Sequence, residues 1–444
     1  MELIAKVISV KHKKRVIIII LVILIIFLFN IYKKLNNIVV LELGIFAGSM
    51  YDVPNWQSYK TFDEAIEKFQ NLHPNIRIKY RSGTLKNDYS EWLAQKIING
   101  DEPDVFCVLP GDFNTFASIG IMKNLDELIK RDKSFNINRM YLNAIKFGQF
   151  QGVQYAIPKE LDPQLMFVNK TLLKKEGIQV PKGNWTWEDF YNICRKITKD
   201  TDGDGKIDQF GSVGFNWKIA VYTNGEQFFD QSGKKAMFDS KGVIEAVKFV
   251  KALNDLNQNF KVNLEDFDNG RVAFRPFSFS AYKAYKTYPY RIIKYAQFDW
   301  ECIKLPRGPN GRNASELNAM LFGISSRTKH TKEAWEFLKF ITYNDEIQMD
   351  VLRYSHGIPV LRDVTESKKA EEELLKYNPE EEISVDTKVL SDVVEQSVVP
   401  PRFHKYDEAV EIADREIYQI IKGDKEVEDT LIKLNSELND FLNQ

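Results

Sequence analysis

Gln151-Gly-Val-Gln-Tyr-Ala-Ile-Pro-Lys-Glu-Leu-Asp-Pro-Gln-Leu-Met-Phe-Val-Asn-Lys170 is the stretch on which the reading of this 444-residue chain turns. Val153, Tyr155 and Ile157 alternate with polar or small residues, which predicts a half-buried strand after a Gln-Gly turn. Pro158 and Pro163 forbid regular helix and are expected to interrupt strand pairing, leaving an extended, polar crossing. Leu165 to Val168 then starts a buried strand that Asn169 and Lys170 end, with Thr171 expected to cap a helix through Lys175 and Gly177 to stop it. An acid-bearing crossing between two strands reads as a strap between lobes, with Glu160 and Asp162 facing whatever lies between them. On these residues alone a proline-rich surface loop is the competing reading.

The length exceeds what one hydrophobic core serves and predicts two lobes or domains. Apolar residues make up 44% of the chain and charged residues 28%, a globular balance, and a net charge of −1 offers no basic surface for nucleic acid. Cys107, Cys194 and Cys302 are too widely spaced for a metal pattern, and the first two sit in apolar surroundings that predict buried thiols. Lys6, Lys11, Lys13, Lys14 and Arg15 precede an uninterrupted apolar run from Val16 to Phe29, whereas Lys33 and Lys34 alone follow closely. The positive-inside rule keeps such an N-terminus in the cytoplasm and exports the rest. No small residues mark a cleavage site and no cysteine stands at the end of the run, so the expectation is an uncleaved signal-anchor rather than a lipoprotein signal.

Beyond residue 38 the pattern is α/β. Val39–Phe46, Ile76–Tyr80 and Val105–Leu109 read as strands, and helical faces fall between them at Phe62, Ile66, Phe69 and Leu72 and at Tyr89, Trp92, Leu93 and Ile97. Val105–Leu109 is continuously apolar, as in a strand covered on both faces, and Pro110-Gly-Asp112 follows it where ligands gather in open α/β sheets. Thr186-Trp-Glu-Asp189 predicts a capping box, Ser240 and Thr331 predict helix caps, and two helices over 407–421 and 425–442 close the chain. Charged Glu366 to Glu382 reads as a solvated helix and loop.

In order and spacing these landmarks resemble the family 1 extracellular solute-binding proteins of ABC importers, the maltose- and oligosaccharide-binding type. The residues that carry the likeness include Phe69-Gln-Asn-Leu-His-Pro-Asn-Ile-Arg-Ile78, Gly100-Asp-Glu-Pro-Asp-Val105, Tyr155-Ala-Ile-Pro158 leading to Val168-Asn-Lys170, and Asn184-Trp-Thr-Trp-Glu188. Further pieces are Asp200-Thr-Asp-Gly-Asp-Gly-Lys-Ile-Asp-Gln-Phe-Gly211, Gly270-Arg-Val-Ala273, Ile303-Lys-Leu-Pro306 and Gly323-Ile-Ser-Ser326 before Ala334-Trp-Glu-Phe-Leu338. Val168 stands where the family usually has Tyr, and Phe274 where it usually has Met. The resemblance implies a two-lobed α/β fold of the periplasmic-binding-protein type II with a ligand cleft between the lobes, and the apolar run places an N-terminal transmembrane helix in front. It divides the chain into a cytoplasmic stub with signal-anchor (1–38), lobe 1 (39–157), lobe 2 (158–275), a return to lobe 1 (276–343) and a return to lobe 2 with the C-terminal helices (344–444). A monomer is expected, bound to the membrane through its first helix, with the binding domain outside the cell.

A pyranose needs aromatic platforms for its C–H face and charged or amide groups for its hydroxyl rim. The resemblance places Gly48, Ser49 and Met50, Asp112, Glu160 and Asp162, Trp217, and Phe277, Phe279 and Tyr282 at a carbohydrate cleft, with Arg353 as a weaker candidate. Permease subunits of an ABC importer are the implied partners. A sugar-sensing or adhesion module is the alternative, and a glycoside hydrolase using Asp112 and Asp162 is the less favoured one. No cofactor is expected beyond a candidate structural calcium. Asp200, Asp202, Asp204, the Lys206 carbonyl and Asp208 have the alternate spacing that wraps oxygens round a hard cation, although Gly211 stands where a bidentate Glu would close the loop. An Asx-turn loop is the other reading of the same residues.

Overall fold

The computed structural model describes residues 38–444 apart from 52–54, 56, 58, 82–83, 259, 287–297, 377–385, 402, 404 and 424, together with Val22 and Ile25. The expected anchor at residues 1–38 lies outside the described residues except for Val22, Ile25 and Ile38, and no described helix is long and apolar enough to cross a membrane.

The strands in chain order are β1 (Val39–Gly44), β2 (Ile76–Arg81), β3 (Val105–Val108), the hairpin β4 (Gln149–Phe150) and β5 (Val153–Gln154), β6 (Ala156–Asn169), β7 (Phe210–Ser212), β8 (Val272–Ser278), β9 (Trp300–Ile303), β10 (Leu317–Ile324) and β11 (Ile358–Pro359). Apart from the hairpin they join in the order β2-β1-β3-β10-β6-β8-β7, with β9 and β11 also paired to β6. β1 runs parallel to β2 and β3, and β10 runs antiparallel to β3 and β6. The hairpin turns at Gln151 and Gly152, both at positive φ (50° and 81°), as a tight two-residue turn requires.

β6 is the expected crossing, but its prolines do not break it. It runs unbroken for 14 residues, all buried except half-buried Gln164. Its first part pairs with β10, and from Gln164 its partner becomes β8, joined from Met166 by β9. Pro158 falls at the register shift opposite Met320 and Leu321, where Lys159 is skipped, and Pro163 is the last residue opposite β10. Both positions are ones where a missing N–H leaves little of the ladder unmade.

The two faces of β6 feed two cores. Leu161, Leu165 and Phe167 join a cluster with Leu41, Phe69, Phe106 and Phe337, whereas Met166 and Val168 join Trp185, Phe190, Val247, Phe274 and Leu434. Caps at Thr186 and Ser240 form as expected, the first as a reciprocal capping box with Asp189. Two other expected caps do not. Asn169, already extended, accepts from the Leu172 N–H and caps Lys170–Lys175 in place of Thr171, and His330 precedes Thr331–Tyr343 without a side-chain cap. The helix Lys368–Lys376 buries Ala370 and Leu374 rather than lying wholly in solvent.

Packing distributes the later segments of the chain over both clusters. β9 pairs with the distal half of β6 and Leu305 enters the second cluster, while Asp345–Tyr354 and Thr387–Gln396 bury Ile347, Leu352, Leu390 and Val394 in the first. Those amphipathic faces fit the first core, and the second receives its last helices only from Tyr406–Lys422 and Val427–Asn443.

Gly148 accepts the N–H groups of Tyr155 and Ala156, and a Cβ there would lie 1.9 Å from the Ala156 carbonyl oxygen. Gly148→Ala is expected to lower stability by about 1–3 kcal/mol through overpacking at the entrance to β6. Urea denaturation reads this directly, and an unchanged midpoint would contradict the close approach.

Candidate functional site

Three chain reversals meet beside the middle of β6. After β1, Gly48 (φ 99°) turns the chain, and the Ser49 hydroxyl accepts the Tyr51 N–H at 3.2 Å. The loop closes a small cavity, about 20 Å³, with Tyr59, Phe62, Glu160 and Ser355, which is room for a water molecule rather than a sugar ring. Gly48, Ser49, Met50 and Glu160 thus line one cavity. The Tyr51 hydroxyl is buried without a hydrogen-bond partner, and burial together with Glu160 and Asp162 pushes it well above the ordinary phenol range.

The acids of the crossing are almost fully enclosed. Glu160 lies 3.7 Å from the Lys159 ammonium, which has no hydrogen-bond partner and sits 4.7 Å over the Phe62 ring. Burial holds Lys159 below the usual lysine range. Asp162 receives the Ser280 N–H at 2.8 Å on one oxygen and the Ser280 hydroxyl at 2.7 Å on the other, so it caps the helix Phe279–Lys286 from another strand. Burial outweighs those bonds and raises its pKa to about 7.

Asp112 sits in the first turn of Pro110–Ser118, beyond β3. Ser90 donates to one oxygen at 2.6 Å, the other is buried without a partner, and burial with nearby Asp407 raises the carboxyl above its usual range. Two residues on, Asn114 donates to the Phe403 carbonyl at 3.1 Å, which ties this helix to the segment leading into Tyr406–Lys422.

The aromatic strip forms a wall. Phe277 packs on Phe167 at 4.5 Å, Trp300 stacks on Phe167 at 4.8 Å, Tyr282 stands edge-on to Trp300, and Phe279 stacks on Tyr282 at 5.7 Å. Phe277, Phe279 and Tyr282 are buried and Trp300 is half-buried. Trp217, expected as a platform, is placed in the second core. It packs on Phe228 and Phe238 and donates its indole N–H to Asp414 at 2.7 Å, because the helix it begins turns its apolar face inward there. Arg353 is engaged with Asp350 at 2.9 Å and Glu373 at 3.4 Å rather than presented to the site. Sequence reasoning missed Tyr51, Lys159 and Ser280. Only Ser280 carried a local signal, as a small polar residue set between large rings.

In the 200–208 loop, carboxylate oxygens of Asp200, Asp202 and Asp204 lie within 4.8 Å of one another, and Gly203 and Gly205 adopt positive φ. Asp200 accepts the N–H groups of Gly203 and Gly205, both at 2.7 Å, while Asp208 is turned to Thr201. Gly211 cannot give way to a ligand, since a Cβ there would lie 2.4 Å from Cys194. Three acids therefore fit a hard cation, and the closing positions do not.

A two-lobed α/β molecule, with acids and orphaned polar atoms gathered where one strand passes between its cores, belongs to the class of cleft-binding proteins. The model of the bacterial extracellular solute-binding proteins matches residues 54–347, and the chain belongs to that family, whose members bind solutes and are not enzymes. A multiple sugar-binding protein of Streptococcus mutans is 24% identical over 309 residues, covering 64% of this chain and 68% of that one. A maltotriose-binding protein of Pyrococcus abyssi is 23% identical over 329 residues, covering 69% and 64%. The match thus spans about two thirds of the length of these curated relatives. The solved structure of a cyclic alpha-maltosyl-1,6-maltose binding protein from Arthrobacter globiformis superposes with a TM-score of 0.75 at 16% identity, over 91% of this chain and 99% of that one.

Because Asp162 holds Ser280, Asp162→Ala is expected to cost about 1–3 kcal/mol by stranding a buried donor. Its pKa is raised on folding, so the wild-type protein gives up stability as pH rises from about 4 to 7. Asp162→Asn should flatten that slope while keeping the fold. Thermal melts across pH measure both, and parallel wild-type and Asp162→Asn curves would contradict the buried carboxyl.

Proposed function

We propose that this protein captures a carbohydrate, an oligosaccharide in the first instance, and hands it to the permease subunits of an ABC importer while tethered to the outer face of the cell membrane by its N-terminal segment. The observation that carries this reading is the buried Tyr51 hydroxyl facing Glu160 and Asp162, to which Asp112 beyond β3 adds a carboxylate oxygen buried without a hydrogen-bond partner. Such groups are costly to bury unless something completes their hydrogen bonds. Sugar hydroxyls, each a donor and an acceptor, have the required chemistry. The ring wall of Phe277, Tyr282 and Trp300 supplies the apolar complement once the lobes part. The ligands named for the related proteins support the same class. The site proposed here keeps Gly48, Ser49, Met50, Asp112, Glu160, Asp162, Phe277, Phe279 and Tyr282, adds Tyr51, and leaves out Trp217 and Arg353.

On this reading the sugar enters between the lobes, which then close round it. A thermal-shift screen of mono- and oligosaccharides, maltotriose among them, is expected to raise the melting temperature with at least one. Tyr51→Phe should then weaken that sugar about fivefold, the loss of one neutral hydrogen bond. Unchanged affinity would place the ligand elsewhere.

A structural calcium in the 200–208 loop is part of the proposal, supported by the convergence of Asp200, Asp202 and Asp204. Sites of this open kind bind at roughly 10⁻⁴–10⁻³ M, so millimolar calcium should raise the melting temperature and Asp202→Ala should abolish the rise. Indifference to calcium would leave the loop to its own Asx hydrogen bonds.

A further inference from the structure

One side of the outer strands in the first sheet is left uncovered. β1 and β2 pair in register, and along them buried Leu41, Leu43, Ile76 and Ile78 alternate with exposed Val40, Glu42, Arg77 and Lys79. In a pleated pair the four exposed residues stand on one side. A groove of about 500 Å³ opens between these strands, the helix Lys86–Asn99 and Pro103. Sites for small molecules typically measure about 300–1,000 Å³. The groove shares no residue with the cavity at Tyr51 and Glu160. In the order β2-β1-β3-β10-β6, β1 and β2 lie about 14 and 19 Å from the crossing at ordinary strand spacing. All of its walls belong to one lobe.

Trp92 gives the groove an aromatic wall. Its helix buries Tyr89, Leu93 and Ile97, and Trp92 lies half-buried at the border of that row. The Trp92 ring stacks on Tyr89 at 5.4 Å, and its indole N–H donates to no group among the described residues. A tryptophan backed by another ring and lining an open groove is a platform for an apolar ligand face. Four charges surround it. Lys96 is paired with Asp101 at 2.5 Å. Glu42 and Lys79 stand opposite each other in register, yet neither forms an ion pair among the described residues. The signs cancel. An anion meets Glu42 and Asp101, and a cation meets Lys79 and Lys96, whereas a hydroxyl, donor and acceptor at once, can use all four.

We propose that this groove is a second carbohydrate site, in which a neutral pyranose stacks on Trp92 and hydrogen-bonds Glu42 and Lys79. The binding stands on the groove's own chemistry. Its role, to keep a saccharide at the protein and raise the concentration that the cleft meets, rests on the functional reading above.

Fluorine NMR of the full-length protein in detergent, labelled with fluorotryptophan, tests this at the site itself. Of the seven tryptophan signals, that of Trp92 is the one lost in Trp92→Phe. The probes are methyl glucoside, maltotriose and cellotriose, with glucuronate and glucosamine as charged counterparts. At least one neutral probe should shift the Trp92 signal with a Kd on the order of 1 mM. The charged pair should bind more weakly. Glu42→Ala and Lys79→Ala, both at exposed positions, should each raise that Kd about tenfold, and Tyr51→Phe should leave it unchanged. No shift with any neutral probe, a preference for a charged one, or a shift that both alanine variants preserve overturns the proposal. So does a shift that disappears in Tyr51→Phe, which would be an effect of the cleft. Sugar stabilisation that Tyr51→Phe weakens, with the Trp92 signal unmoved, would uphold the cleft and refute this groove.

Discussion

One strand serves two sheets, and the rest of the molecule is arranged round that constraint. β6 hydrogen-bonds to β10 along its first part and to β8 and β9 along its second, so the backbone that joins the lobes is itself part of both. A crossing built this way is covered on both sides and cannot be a solvated linker. Whatever side chains it carries are taken out of water, and Lys159, Glu160 and Asp162 are buried with it. Burying charge is expensive unless it is paired or hydrogen-bonded, and the neighbouring elements are positioned to satisfy that demand. Ser280 supplies Asp162, and Lys159 stands against Glu160.

The satisfaction is incomplete in a way that points to function. The Tyr51 hydroxyl, the Lys159 ammonium and one oxygen of Asp112 are buried without hydrogen-bond partners. Under the proposed function the hydroxyls of a bound solute would complete these groups. The aromatic wall beside them is packed on itself in this conformation, with Arg275 lying 4.1 Å over Phe277. Phe277, Phe279 and Tyr282 belong to the first core cluster, with Leu165 and Phe167.

Much of this was legible in the sequence because the fold is written in local patterns. The alternation at Val153, Tyr155 and Ile157, the continuous apolar run at Val105–Val108 and the capping box at Thr186 each report one element without tertiary context. The prolines of β6 misled because the cost of a missing N–H depends on which neighbour stands opposite, and pairing is non-local. Trp217 misled for a related reason. An aromatic at a helix start has the same local sequence whether it faces a cleft or Phe228, Phe238 and Asp414. Lys283 gave no sign at all, since its acceptors, the carbonyls of Leu352 and Ser355, lie some seventy residues away in the chain.

Hydrogen–deuterium exchange of the full-length protein, with and without a sugar that raises its melting temperature, tests the central claim most directly. New protection is expected in three segments, 46–51, 159–166 and 276–284, which come from three separate parts of the chain and meet only at the crossing. Protection confined to other surfaces, such as the 200–208 loop or the 149–154 hairpin, would contradict a sugar held beside β6.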